Sequence, residues 1–300
     1  MHIAIVTLHY KNLGDTLGLL ESLSGCSVPP GVAVTIYVVD NEGSRELSEA
    51  VKKYPEVRLL ISGRNLGFAA GNNLGFRRAI EDDNRILVTM NNDTFVGKDF
   101  IKQIVESPIN DSSVGAVGGL VYFAPGFEFK KTYTRNERGK VVWFAGGLFD
   151  WNNILGSNAH VDEVDHGQFE KETDTAFITG ALLITRADVL KKVGLFDEKY
   201  FMYLEDVDLS HRMKLAGYRL VFDPKIKMWH KVAQGSSIGS SLNDYFITRN
   251  RLYFGFKYAR FRTKFALFRE ALRKLAKGTG AQKKAITDFF TLKLGRGSYL

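Results

Sequence analysis

Cysteine occurs once in the 300 residues, as Cys26. That excludes an intramolecular disulfide and a thiolate metal cluster, and it suits a reducing compartment. Nowhere do eighteen apolar residues follow one another, so no segment has the pattern of a membrane-spanning helix. A basic amino-terminal region with a small-residue cleavage site is missing too: Met1-His2-Ile3-Ala4-Ile5-Val6 runs straight into a strand. The expected location is therefore cytoplasmic. There is no internal repeat and no low-complexity stretch. What is present is ordinary globular material, 45% hydrophobic and 25% charged, long enough for one large domain or two modest ones.

Positive charge is unevenly spread. Residues 249–300 hold fourteen Lys and Arg against Glu270 and Asp288, a net of +12, which leaves residues 1–248 at -4 within the total of +8. A mildly acidic body with a basic tail implies that the tail meets something anionic. Phe261, Phe265, Phe268, Leu272 and Leu275 recur at spacings of 4, 3, 4 and 3, one stripe of a helix. Arg262, Lys264, Arg269, Arg273, Lys274 and Lys277 surround it, and Gly278 marks its end. Such a helix suits the anionic inner face of the cell membrane, with the protein peripherally bound. Packing on the catalytic body, or on a second subunit of a homodimer, is the alternative.

Apolar runs at 3–8, 34–39, 57–61 and 85–90 read as buried strands, and the segments 15–24 and 70–80 between them as helices. Strands alternating with helices at this spacing predict βαβ units and a mostly parallel, doubly wound sheet. Ligands gather at the carboxyl ends of such strands, where Asp40-Asn41 and Asn91-Asn92-Asp93 stand. Residues 122–174 are rich in Gly, Asn and aromatics, and read as irregular loops with a hairpin. A strand-like run at 176–185 and helices at 186–193 and 206–216 follow, the last closed by Gly217.

Four groups carry chemistry. Asp93, on the loop after a buried strand, can hold a hard cation against a diphosphate, although Asn-Asp is also plain turn chemistry. Gly67-Phe68-Ala69-Ala70-Gly71-Asn72-Asn73, after Arg64-Asn65, opens a helix whose amino end favours anions; a tight loop needing glycine is the alternative. Glu205, Asp206 and Asp208 fall within four residues at a helix start, flanked by apolar residues. Acids there complement the helix dipole, but partial burial would also raise their pKa values and make one a general base. His230 ends an apolar run, as a structural or a metal-binding imidazole.

Taken in order, Val39-Asp40-Asn41, Asn65 to Asn73, Asn91-Asn92-Asp93, Gly180 to Ile184, and Phe196-Asp197-Glu198 through Asp208 resemble the family 2 glycosyltransferases, over residues 3 to about 253. The rhamnosyltransferase branch is the most similar, with Arg249-Asn250-Arg251 also typical of it. The resemblance implies a GT-A fold: a Rossmann-like sheet with helices on both faces and a C-terminal helical extension. It implies a catalytic domain over 1–248, with a nucleotide-sugar half to about 120 and an acceptor half from about 121, and a basic helical tail over 249–300. It implies inverting transfer from a nucleotide-diphosphate sugar, dTDP-rhamnose first and a UDP-sugar second, to a glycan or lipid-linked acceptor, with Mg²⁺ or Mn²⁺. Asp206 matches the catalytic base, and Glu205 a residue that orients the acceptor. Asp93 and His230 match metal positions, with Asn91 where the family's Asp-x-Asp element begins. Asp40, Arg64, Asn65, Gly67, Asn72, Asn73 and Asn92 match the donor side, and Asp208, Trp229 and Arg249 fall on the acceptor side.

Two other classes compete. A nucleotidyltransferase shares the fold type, but it needs a Gly-rich, basic loop after the first strand, where Thr7 to Gly14 lacks one. A nucleic-acid-binding protein would explain a pI of 9.3, but the excess charge is confined to the tail, so no nucleic acid is expected as partner.

Overall fold

A computed structural model describes residues 1–130, 132–232 and 240–299. The first half alternates β1 (His2–His9), α1 (Leu13–Ser24), β2 (Ala33–Asp40), α2 (Arg45–Ala50), β3 (Val57–Ile61), α3 (Gly67–Glu81) and β4 (Ile86–Asn91). The short β5 (Thr94–Val96) and α4 (Phe100–Glu106) lead into β6 (Val114–Phe123), β7 (Val142–Phe144), the hairpin β8 (Gly147–Asp150) with β9 (Leu155–Asn158), and β10 (Thr173–Asp174). Then come β11 (Leu182–Arg186), α5 (Ala187–Val193), α6 (Glu205–Leu215), β12 (Arg219–His230), α7 (Ser241–Tyr258), α8 (Phe261–Lys277) and α9 (Gly280–Phe290).

The sheet runs β10-β12-β6-β11-β4-β1-β2-β3, with β1, β2, β3 and β4 parallel. Its central strands bury both faces, as their unbroken apolar runs require. Side chains alternate between two cores. Ile3 and Ile5 of β1 join Leu19, Leu20, Phe100 and Ile104 on one face, while Ala4 and Val6 join Ala69, Phe76, Leu190 and Leu209 on the other. This is the doubly wound GT-A arrangement expected from the sequence.

Strand direction places the site. β11 runs antiparallel to both β4 and β6, and β12 runs parallel to β6. Two reversals return β12 to the direction of β4, so His230 ends at the same edge as His9, Asp40 and Asn91. β5 then turns back antiparallel to β12, with Thr94 opposite His230.

Three elements differ from expectation. The strand expected over 176–185 begins only at Leu182. β6 is a ten-residue, wholly buried strand that the sequence pattern did not signal. And α7 crosses residue 249 without a break, packing on α8 and α9, so the basic segment begins inside a helix of the body. Among the described residues no helix is long and apolar enough to cross a membrane.

α3 lies close on β1 because Gly75 has no side chain: a Cβ there would overlap Val6 Cγ1 and come within 3.3 Å of Val39 Cγ2. Overpacking typically costs ~1–3 kcal/mol, more than the ~0.5–1 kcal/mol that Ala gains over Gly within a helix. Gly75→Ala should therefore lower stability in urea by about 1–2 kcal/mol. Gly18→Ala in α1, where a Cβ meets nothing within 4 Å, should raise it by ~0.5–1 kcal/mol. A stabilised Gly75→Ala protein would refute the close approach.

Candidate active site

The β4–β5 turn and the end of β12 bring Asp93 and His230 together. Asp93 Oδ1 lies 3.0 Å from His230 Nε2. The Lys231 N–H donates to the Asp93 carbonyl at 2.9 Å, so the backbone fixes the pair as well. Asn91 Nδ2 is 3.3 Å from the same imidazole nitrogen, and Trp143 meets the ring edge-on at 4.7 Å. Nδ1 is buried without a hydrogen-bond partner. A carboxylate oxygen beside an imidazole nitrogen suits Mn²⁺ or Mg²⁺. Among the described residues no three His, Cys, Asp or Glu side chains converge, so such an ion would take its remaining ligands from phosphate and water. The bare Nδ1 also means the usual outer hydrogen bond of a metal-bound histidine is missing.

A chain of hydrogen bonds ties this loop to the ends of β1 and β2. Asn92 donates to Thr16 Oγ1 at 2.9 Å, and Thr16 lies 2.8 Å from His9 Nδ1. His9 Nε2 in turn faces Glu42 at 3.2 Å. His9, Thr16 and Glu42 escaped the sequence reading, and only the position of His9 at a strand end could have flagged them. Asp40 is wholly buried, and its carboxylate accepts from the backbone N–H groups of Glu42, Gly43 and Ser44 at 2.7–3.0 Å. It shapes the loop that opens α2. Asn65 accepts from the Gly67 N–H at 2.8 Å at the head of α3, and Arg64 is exposed on the rim beyond β3.

Asn72 and Asn73, expected beside the donor, are instead internal. Asn72 donates to the Phe68 carbonyl and accepts from Thr89, while Asn73 bonds to both backbone groups of Phe196 and to Glu198. Both are buried to 1% exposure or less, because they face the sheet from α3.

The acidic cluster separates into roles. Asp206 accepts from the Gly180 N–H at 2.9 Å and from its neighbour Val207 at 2.8 Å, which fixes it where β11 begins. Glu205 is buried, with Oε2 lacking a hydrogen-bond partner. Burial, then the charge of Asp206, holds Glu205 well above the ordinary carboxylate range. Burial raises Asp206 as well, but its two N–H donors oppose the rise. Glu205 is therefore raised further than Asp206, as expected for adjacent acids that compete for one charge.

Three residues expected on the acceptor side lie elsewhere. Asp208 is fully buried and accepts from Tyr200, Arg212, Lys257 and Tyr258, tying α6 to α7. Trp229 alternates to the sheet face opposite His230, stacks between Phe95 and Tyr122, and donates to the Gly139 carbonyl. Arg249 is fully buried and donates to the carbonyls of Tyr200 and Gly295.

Arg249 and Asn250 nevertheless reach the site indirectly. Phe201, Tyr203 and Leu204, just before α6, have φ of 66°, 68° and 67°, left-handed values that non-glycine residues resist. Asn250 Nδ2 donates to the carbonyls of Tyr200, Met202 and Tyr203 at 2.7–2.9 Å, holding this strained turn and so aiming Asp206. From the other side, the Ala69 N–H donates to the Phe201 carbonyl, and the Phe201 ring fills the space a Cβ on Gly67 would need.

Asn250→Ala should lower kcat about 10²-fold through misplacement of Asp206, with donor affinity unchanged by calorimetry. Turnover within twofold of wild type would detach Asn250 from the placement of Asp206. Because the folded pKa of Glu205 is raised, its stability contribution is full below the ordinary Glu value of about 4.3 and is lost as pH rises through the folded value. Glu205→Gln should therefore raise the urea midpoint near neutral pH, with the gain vanishing at about pH 4. An equal gain at both pH values would contradict this.

The sequence model of the glycosyltransferase like family 2 matches residues 3–255. The N-acetylglucosaminyl-diphospho-decaprenol L-rhamnosyltransferase of Mycobacterium tuberculosis is 28% identical over 250 residues, covering 78% of this chain and 77% of that protein. The dTDP-rhamnosyl transferase RfbF of Shigella flexneri is 24% identical, covering 67% and 61%. Among solved structures, GalNAc-T7 with UDP, GalNAc and Mn²⁺ superposes with a TM-score of 0.61 at 16% identity; it matches 83% of this chain, which spans only 50% of that one. That likeness shows the fold. A GT-A sheet, acids gathered at its carboxyl edge and a family match over most of the sequence lead to one assignment: the chain belongs to glycosyltransferase family 2.

Proposed function

We propose that the chain transfers rhamnose from dTDP-rhamnose, with a UDP-sugar as second candidate donor, to a hydroxyl of a polysaccharide or lipid-linked glycan, inverting the anomeric centre in one displacement. The observation that carries this reading is the grouping at one sheet edge of Asp93 with His230, suited to a cation, and of Asp206 with buried Glu205, suited to a proton. The names of the mycobacterial and Shigella relatives favour rhamnose and dTDP, and decaprenol in the first favours a lipid-linked acceptor.

Mg²⁺ or Mn²⁺ held by Asp93 and His230 would supply positive charge to the departing diphosphate. Asp206 takes the proton of the acceptor hydroxyl as it attacks the face opposite the leaving group. Its raised pKa brings the base nearer the working pH, where proton transfer is most effective. Glu205, uncharged, spares Asp206 a second adjacent negative charge and offers the acceptor a hydrogen-bond donor. Asn65 and Gly67 at the head of α3, with exposed Arg64, frame the nucleotide beside the loop held by Asp40.

The test is a melting screen with dTDP-, UDP- and GDP-sugars, with and without Mg²⁺ or Mn²⁺. A ligand at a hundred times its Kd stabilises by about 2.7 kcal/mol, so a bound donor should shift Tm visibly. The expected result is a metal-dependent rise with dTDP-rhamnose, lost in Asp93→Ala and His230→Ala. Asp206→Asn should keep that rise and lose transfer by ~10²–10⁴-fold. Preference for a GDP-sugar would overturn the donor, and near-normal turnover by Asp206→Asn would overturn the base.

A further inference from the structure

We propose that the outer faces of α8 and α9 form a docking surface for an anionic lipid bilayer. α8 carries two apolar lines. Leu267 and Ala271 face the body, at 3% and 2% exposure, with Leu275 half-buried beside them. Phe261, Phe265, Phe268 and Leu272 form the second line, which faces solvent at 82%, 54%, 40% and 50% exposure. Their spacing keeps all four within one narrow stripe. The patch continues onto α9 and beyond: Phe290, 45% exposed, meets Phe268 edge-on at 6.1 Å, and Leu292 follows at 79%. Contiguous exposed apolar surface of this kind marks an interaction site.

The charges around the patch choose its occupant. Of the fourteen basic residues in 249–300, Arg249 is buried, Arg251 and Lys274 pair with Glu270, and Lys257 pairs with Asp197 and Asp208. The other ten have no Asp or Glu within 4.0 Å among the described residues, and all but half-buried Lys264 are exposed. The two acids of the segment both turn inward. Glu270 is held by Arg251 and Lys274, and Asp288 is 2% exposed and accepts from Tyr245 and Ser298. The outer face thus presents Phe, Leu, Lys and Arg with no free carboxylate.

A second copy of the chain fits poorly, because a two-fold interface would set Arg262, Arg269 and Arg273, beside the stripe and without acidic partners, against the same cations of the other copy. A nucleic acid would use the cations and stack on the rings, but it offers nothing to bury Leu272 and Leu292. A bilayer with anionic headgroups accepts both parts, rings and aliphatics at the acyl boundary and cations in the headgroup plane. The inference is independent of which sugar or acceptor the enzyme uses.

The experiment is flotation of the full chain with vesicles of phosphatidylcholine alone or mixed with phosphatidylglycerol. Binding should require the anionic lipid and fall by about tenfold or more at high salt, since each cation at such a surface raises partitioning about fivefold. Phe261→Ser combined with Phe265→Ser should weaken it by about tenfold per residue without altering Tm or donor affinity, because both side chains are mostly exposed. Arg269→Glu with Arg273→Glu should weaken anionic-vesicle binding as well. No flotation at low salt, or flotation unchanged in the Phe variant, overturns the proposal. So does a concentration-dependent dimer, or filter-retained nucleic acid, that the Phe variant abolishes while vesicle binding stays absent.

Discussion

The carbonyl groups of Tyr200, Met202 and Tyr203, gathered by one side-chain amide from Asn250, are the contact on which the placement of Asp206 depends. Three left-handed residues in four would not persist unaided, since each costs of order 1–3 kcal/mol. They do persist because α7 supplies donors that no relaxed turn could satisfy as well, and α3 closes the other side through Ala69 and Gly67. The reward is direction. α6 starts abruptly at Glu205, and Asp206 meets Gly180 at the edge where the strands end.

That edge owes its chemistry to one reversed strand. β5 turns back after β4 to pair antiparallel with β12, and that pairing sets Asp93 against His230. Apolar strands set the frame, while the polar residues at their ends inherit a shared rim. At the head of α6 burial raises both adjacent acids, and the N–H donors on Asp206 oppose the rise there, which sets it below Glu205.

Much of this was legible in the chain. The strands β1 to β4 are unbroken apolar runs, and the acids that follow them mark the rim without further information. β6 was not legible, because Gly115, Gly118 and Gly119 blunt its strand character; they suit it because Tyr218, Ile178 and Ile226 press against it. Side-chain direction was the other gap. Asp208 lies two residues past Asp206, a spacing that changes helix face, and so it turns to α7 instead of the cleft. Asn72, Asn73 and Arg249 have the chemistry of ligand-binding groups, but the protein itself is their ligand. Conversely, the aromatic stripe of α8 could have been core or surface on its spacing alone, and only packing against Leu267 and Ala271 decided it.

Arg249 joins these halves of the molecule. One of its nitrogens holds the Tyr200 carbonyl under the turn before α6, and another holds the carbonyl of Gly295, close to the far end of the chain. Gly295 in turn donates its N–H to the Lys199 carbonyl, closing a ring of contacts around the turn. The last helix and its exit are thus a keystone for a loop nearly a hundred residues earlier in the chain. An enzyme trimmed to the boundary of its family match would keep every residue of the rim, and Asn250 under the turn, but lose the Gly295 side of the ring around it.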